Sequence, residues 1–458
     1  MASRSPGRLR NYRWKELGLF IIPFSILLLG MSQLILIHDN AKTFSVKSLP
    51  TFQELIPIIG LLAVLVFVNF LFSFFFPKAD QTLLPLVGLL SGIGVLMALR
   101  LGPDVGDPNA GTRQLLWVIL GLFICLATLF GLRNVRWLSR YKYTSALLGI
   151  LLVGFTLVNA LHVKNFNSPT HDQLNFGPFN LQPSELLKIL IVIFFAAYLS
   201  ENRDILAEGS LRIGPLRLPP LRQLGPLALM LFLALLLFLG IRELGLALLI
   251  YGIFLCMLYL GSGKLSYVIV GLLVFLVLGF IGYELFGYVR DRFAAVGVNV
   301  VNWTSASEQL YQTSAFQVIQ GLIALASGGI LGAGLGLGHP AIVPVVQSDF
   351  IFTALGEELG LAGLFAIIGI YLLLLYRGYR IAIEASNTFS QLLAAGLTSI
   401  FAIQALIIIA GNMKFFPSTG LPLPFLSYGG SSVIANYIII GILLRISHNT
   451  ALEREGLA

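Results

Sequence analysis

From end to end this chain is a series of about twelve apolar runs, most of them close to the ~20 residues a helix needs to cross a bilayer. They fall at 19–36, 56–76, 84–101, 115–132, 145–161, 186–199, 226–241, 244–260, 265–286, 350–375, 392–409 and 431–446. Hydrocarbon offers backbone groups no water, so N–H and C=O must pair internally and each run is expected to be a helix. The runs at 186–199 and 226–241 are short, which leaves their ends open. Composition agrees: charged residues are 11% of the chain, against ~25% in a soluble domain, and mean hydropathy is +0.89. The expected fold class is an all-α polytopic membrane protein with about twelve transmembrane helices and a large extracytoplasmic loop, without room for a second, soluble domain.

Charge placement orients the bundle. A net charge of +8 would suit a nucleic-acid ligand, but the basic residues gather in alternate connections: the N-terminus, 133–142, 203–224, 377–383 and the C-terminal RISHNTALERE. The positive-inside rule puts those connections and both termini in the cytoplasm, and it accounts for most of the excess without a ligand. The opening RSPGRLRNYRWK precedes the first run with no small-residue cleavage site after it, so that helix is expected to be retained. Cys125 and Cys256 lie far apart inside apolar runs and are expected to be small buried hydrophobes. Neither a disulfide framework nor a metal motif is visible.

The outer face then receives 38–55, 102–113, 162–184, the long loop 288–349 and 410–430. Loops held on a rigid scaffold concentrate binding and catalysis, so the working end is expected outside. No nucleotide is available there, and a substrate that reacts there must carry its own activated bond. The chain has no evident internal repeat or matched pair of broken helices, the mark of many transporters.

Charges near hydrocarbon are costly and are functional candidates by default. In LQPSELLKI (181–189), Pro183 suits the first turn of a helix and Glu185 lies at its positive end. Lys188, three residues on, shares its face. The pair is either a capped helix start or the lining of a cavity for an anionic headgroup. IRELGLA (241–247) puts Arg242 and Glu243 in a turn between two runs. ASGGILGAGLGLGHP (326–340) lacks the flanking strand and helix of a dinucleotide site. It is expected to be a close-packed re-entrant or interfacial segment that can approach a diphosphate.

In SDFIFTALGEELGL (348–361), Asp349 precedes a span while Glu357 and Glu358 lie inside it, which demands pairing or a polar cavity. Desolvation there would raise a glutamate pKa. Arg290 and Arg292 of YVRDRF open the long loop and suit either phosphate or interfacial anchoring. Last, FPSTGLPLPFLSYGGSS (416–432) breaks two runs with prolines and glycines. Irregular backbone at membrane depth must be buried in protein or line water. Lys414, Ser427 and Tyr428 are therefore expected to present donors, with Gly429 and Gly430 permitting close backbone approach.

In this order and spacing, LQPSELLKI, the glycine run at 328–338, SDFIFTALGEELG and FPSTGLPLPFLSYGGSS resemble the SEDS family (shape, elongation, division and sporulation: the RodA, FtsW and SpoVE proteins) over residues 82–448. The resemblance implies a SEDS-type transmembrane core at 81–448, with its extracytoplasmic loop at 288–349. Residues 1–80 would form a cytoplasmic N-terminus and two extra helices, and 449–458 a cytoplasmic tail. It also implies a peptidoglycan glycosyltransferase that polymerises lipid II at the outer face of the bacterial cytoplasmic membrane. The polyprenyl diphosphate of lipid II would then be the activated bond.

Such chemistry needs a base for the acceptor hydroxyl. It also needs positive charge, from protein or a divalent cation (Mg or Mn), for the departing diphosphate. Substrate-binding roles fall to Glu185, Lys188, Glu243, Arg290, Arg292, Asp349, Glu357, Glu358, Lys414, Ser427 and Tyr428. The implied partners are a class B penicillin-binding protein transpeptidase and other divisome or elongasome membrane proteins; no nucleic acid is expected.

The sequence departs from the family pattern in places. The family's loop carries an Asp between a Trp and an aromatic–Gln pair. VNWTSASEQLYQTSAFQVIQG (301–321) keeps Trp303 and Phe316–Gln317, with Glu308 as the only acid between them. Glu308 is the expected base, since its intrinsic pKa is close to that of Asp. Its longer side chain shifts the reach by roughly 1 Å, a displacement that can cost ~100-fold in rate. If Glu308 is an ordinary loop acid, Asp349 or Glu358 is next, and a lipid II flippase or a catalytically inactive scaffold becomes the alternative. IREL stands where the family has Pro-Asp-Leu-Gly, so only Glu243, Leu244 and Gly245 carry over. HVKNFNSPTHDQLNFGPFN (162–180) likewise lacks the family's Gly-Ala and Arg-Trp.

Overall fold

The computed structural model describes residues 13–38, 55–162, 174–176, 179–208, 211–213, 216–218, 221–300 and 304–456. The N-terminal helices are α1 (Trp14–Ile37, with one turn residue at Phe20), α2 (Ile56–Phe75), α3 (Leu83–Leu101), α4 (Ala110–Gly131) and α5 (Lys142–His162). They are followed by α6 (Pro183–Glu201), α7 (Leu221–Gly240), α8 (Leu244–Ser262) and α9 (Leu265–Leu285). The loop helices are α10 (Gly287–Gly297), α11 (Ser305–Leu310) and α12 (Phe316–Gly328). The chain closes with α13 (Ile351–Glu384), α14 (Thr388–Asn412) and α15 (Gly430–Arg454).

Ten of these are long and apolar enough to cross a membrane. The shorter apolar stretches of α5 and α7 stand at the runs 145–161 and 226–241, so every expected run carries a helix. Two small hairpins decorate the connections, pairing Leu174–Phe176 with Phe179–Leu181 and Leu211–Ile213 with Leu216–Leu218.

Local signals set the helix ends. Pro183 occupies the first turn of α6, where its missing N–H is no loss. The Asn387 side chain caps α14 by accepting from Ser390 N at 2.9 Å. Gly263 closes α8 in the left-handed region that favours glycine. Burial then separates centre from periphery. In α6 and α14 83% and 78% of the apolar stretch is buried, but in α9 only 6%. Leu272, Leu276 and Phe280 of α9 are exposed, as suits a helix solvated by lipid. Close approach uses small residues: Gly121 of α4 lies directly under the ring of Tyr437 of α15, where a Cβ would come within 2.4 Å.

The two ends of the bundle differ. One carries Arg13, Lys78, Arg136, Arg377 and Arg454, with ion pairs Lys78–Glu455, Arg136–Glu453 and Arg377–Asp80. The other carries α10–α12 and the connections 102–109 and 413–429. The N-terminal pair α1–α2 docks on the rest at both ends. At the basic end the fully buried Arg13 donates to Glu16 at 2.6 and 3.1 Å and to the carbonyls of Phe76, Ala79 and Asp80. At the loop-rich end Gln33 Nε2 donates to Leu335 O at 3.2 Å.

Candidate functional site

The non-helical segment 413–429 is the hub of the loop-rich end, and hydrogen bonds tie it to the surrounding elements from several directions. Gln404 Nε2 donates to Pro422 O at 2.7 Å, and Arg292 donates to Ser418 O at 2.8 Å. Gln114 Nε2 donates to Ser427 O at 3.2 Å, and Gln114 Oε1 accepts from Gly429 N at 3.3 Å. The Ser427 hydroxyl donates to Ser348 O and accepts from Leu423 N at 2.7 Å. Tyr428 N donates to Gln347 O at 2.8 Å, which ties the hub to the start of α13 a second time. Buried backbone polar groups demand such partners. Ser427 is only 2% exposed, so its hydroxyl holds the segment together and is not presented outward as the sequence suggested.

Three charged clusters lie at this end of the bundle, the first and third bonded to the hub through Gln404 and Arg292. In the first, Lys188 Nζ donates to Glu185 Oε2 at 2.7 Å and to Gln404 Oε1 at 3.0 Å, and both ionic side chains are buried. The i, i+3 spacing brings them onto one face of α6, and Gln404 relays the pair to the hub. Glu185 Oε1 is buried without a hydrogen-bond partner.

The second cluster joins the glycine run to the acids of α13. Arg100 Nε donates to Glu358 Oε1 at 3.0 Å, and its terminal nitrogens reach Gly338 O at 2.9 Å and Asp104. His339 N donates to Glu357 Oε1 at 2.8 Å, while Ala333 N and Gly334 N donate to the carbonyls of Glu357 and Glu358. α13 is broken at Gly360, whose φ is +67°, and Leu361 N and Ala362 N bond back to Gly329 O and Ile330 O. Of the amides in 326–340, His339 N serves a carboxylate, and those of Ala333 and Gly334 bond the main chain of the two glutamates. Glu358 Oε2 remains buried without a partner.

The third cluster holds Asp349 and Arg292. Ser348 Oγ donates to Asp349 Oδ1 at 2.8 Å. Burial raises the Asp349 pKa, and the Ser348 bond and the nearby Arg292 charge oppose that rise. Arg290 points elsewhere: it is half-exposed, pairs with Glu284 at 3.6 Å and stacks on Tyr283. Residues two apart on a helix do not share a face, which is why α10 separates Arg290 from Arg292.

The remaining expected residues are distributed around these clusters. Glu243 is buried at the start of α8. Lys414 donates to Val298 O, and desolvation lowers its pKa. Tyr428 is half-buried near Arg113 and Asp107, and burial raises its pKa. Glu308 is exposed in the first turn of α11, where it accepts from Gln312 Nε2 at 3.1 Å. Trp303 lies outside the described residues. Arg292→Ser418 and Lys414→Val298 fasten the loop unit that carries Glu308 to the hub, and α10 packs on the turn after α11 through Ala295, Val298, Ala315 and Ile319.

Arg100, Gln114 and Gln404 escaped the sequence reading. Arg100 and Gln114 are polar residues at the end of an apolar run and Gln404 is a polar residue inside one, and those positions were the available signal. Among the described residues no three His, Cys, Asp or Glu side chains gather to hold a metal ion. A divalent cation held by one or two carboxylates together with substrate phosphates needs no such cluster.

The chain is similar to known proteins. Residues 80–452 match the family described as "Cell cycle protein", FtsW/RodA/SpoVE. The chain is 36% identical to the peptidoglycan glycosyltransferase RodA of Mycobacterium leprae over 386 residues, covering 82% of this chain and 79% of that one. It is 33% identical to the probable peptidoglycan glycosyltransferase FtsW of Geobacter metallireducens over 339 residues, covering 73% and 84%. Its fold is similar to a chain in "Structural coordination of polymerization and crosslinking by a peptidoglycan synthase complex", with a TM-score of 0.61 at 22% identity, covering 81% of this chain and 98% of that one. The crystal structure of Thermus thermophilus RodA gives 0.54 at 23% identity, covering 81% and 97%. The chain belongs to the FtsW/RodA/SpoVE family of cell cycle proteins.

Proposed function

We propose that the chain polymerises lipid II into glycan strands at the outer face of the bacterial cytoplasmic membrane, with both of its termini in the cytoplasm. The observation that carries this reading is the hub 413–429, bonded to the Glu185–Lys188 pair through Gln404 and to Arg292 beside Asp349, at the same loop-rich end that holds the Arg100–Glu358 pair. Glu185 and Glu358 each retain a buried carboxylate oxygen without a partner, which suits hydroxyl or amide donors of a sugar-peptide headgroup. The relatives named as peptidoglycan glycosyltransferases support the same chemistry.

In this reading Glu308 removes the proton from the acceptor hydroxyl as that oxygen attacks the anomeric carbon. The bond to the diphosphate breaks with its electron pair on the leaving phosphate oxygen. Arg292 supplies positive charge for that oxygen, since a guanidinium matches phosphate geometry. A class B penicillin-binding protein is the proposed partner, in line with the similarity to a synthase complex that couples polymerization and crosslinking.

The test is glycan polymerisation by the purified full-length protein, with and without that partner. Glu308→Gln should lower the rate by ~10²–10⁴-fold, the usual contribution of a general base, with unchanged thermal stability because Glu308 is exposed. Full activity in Glu308→Gln would remove it as the base, and Asp349→Asn is then the next variant. Lipid II crossing the bilayer without chain growth would favour transport.

A further inference from the structure

The basic end, opposite the hub, contains a cavity of about 560 Å³. Lys15, Lys78, Arg377 and Arg454 line it together with the acids Asp80, Glu384 and Glu455. Three of the cations are paired with those acids: Lys78 with Glu455, Arg377 with Asp80 and Arg454 with Glu384. Lys15 has no ion pair among the described residues, so the wall carries one positive charge in excess.

Asp80 has no spare capacity on the oxygen that receives Thr82 N, Thr82 Oγ1 and Leu83 N, while its other oxygen receives Arg377. Two wall residues nevertheless hold buried polar atoms without partners, the donor Arg377 Nε and the acceptor Gln81 Oε1. Buried polar groups are ordinarily satisfied. With these side chains turned toward the cavity, Arg377 Nε would donate to an oxygen of a ligand and Gln81 Oε1 would accept from a donor on it. The wall also includes Leu19, which is 45% exposed, and neighbouring Trp14 and Ile22 are 60% and 71% exposed. The cavity therefore borders the apolar outer surface of α1, with an exposed tryptophan of the kind found at a membrane interface.

We infer that this cavity binds the phosphate headgroup of an anionic membrane phospholipid whose headgroup carries a hydroxyl donor, such as phosphatidylglycerol. The phosphate oxygen meets Lys15 and, once its side chain turns to the cavity, Arg377 Nε; the headgroup hydroxyl meets Gln81 Oε1 after the same turn. The acyl chains leave along Leu19. The volume lies within the ~300–1,000 Å³ range of small-molecule sites, more than one free phosphate would fill.

Full-length protein purified from detergent into phosphatidylcholine nanodiscs containing a minor fraction of phosphatidylglycerol provides the test, with retained lipid counted by native mass spectrometry. The wild type should retain a phosphatidylglycerol that phosphatidylcholine does not displace. Lys15→Glu and Gln81→Leu should each weaken that retention at least tenfold; Lys15 is exposed, so its substitution leaves folding intact. Equal retention by wild type and both variants would overturn the inference. So would displacement of the lipid by millimolar inorganic phosphate or glycerol phosphate, which would identify a soluble phosphate as the ligand.

Discussion

Arg100 Nε and Glu358 Oε1, separated by 258 positions in the chain, meet at 3.0 Å where the end of α3 faces the broken turn of α13. Glu358 has no exposed side-chain surface and that of Arg100 is 12% exposed. Removing one partner of a buried pair leaves the other charge uncompensated, at ~3–5 kcal/mol. Arg100→Met and Glu358→Met should each destabilise by that order. The double variant should cost less than the sum, with a coupling of ~1–3 kcal/mol. Unfolding by SDS titration in mixed micelles measures all three, and strict additivity would show that the pair is not coupled.

Lys188 and Gln404 make a graded comparison. Lys188→Met strands the buried Glu185 and should cost ~3–5 kcal/mol. Gln404→Leu removes a neutral relay and should cost ~1–3 kcal/mol, as Pro422 O loses its donor. The same titration ranks them. Equal losses would mean that the relay matters as much as the charge.

Asp349 predicts a pH dependence. Burial raises its pKa above the ordinary aspartate value, so the folded state binds the proton more tightly than the unfolded state does. The stability this contributes is fully present at low pH, and it is lost as pH rises from the ordinary value of about 4 through the raised one. Asp349→Asn removes the titration. Wild-type stability should therefore fall relative to the variant as pH rises through that window, in thermal melts across buffers. A difference that stays constant with pH would contradict the assignment.

Gly360 tests the break in α13. Its φ of +67° favours glycine, and a Cβ there would lie 2.2 Å from Gly332 N and 2.6 Å from Ile330 O. These are backbone atoms that cannot swing aside. Gly360→Ala should lower the melting temperature and the polymerisation rate together, with a strain cost of ~1–3 kcal/mol before the clash is counted. Gly369→Ala, with nothing within 4 Å of the added carbon, is the matched control and should melt no lower than wild type.

The helices and their approximate limits were legible from composition and spacing alone, because ~20 apolar residues leave a backbone in hydrocarbon few alternatives. So was the Glu185–Lys188 pair, since an i, i+3 spacing on one helix is a local relation. The candidate acids could be picked out as charges that hydrocarbon would reject. Their partners could not. Arg100 joins Glu358, Gln404 joins Lys188 and Arg292 joins Ser418 only across long separations in the chain, through helix packing that no local pattern encodes. The glycine run shows the limit most clearly: its composition suited a phosphate cradle, but the fold commits amides at 333, 334 and 339 to Glu357 and Glu358. Local spacing sets which groups share a helix face, and the packing of the whole bundle sets which neighbour that face meets.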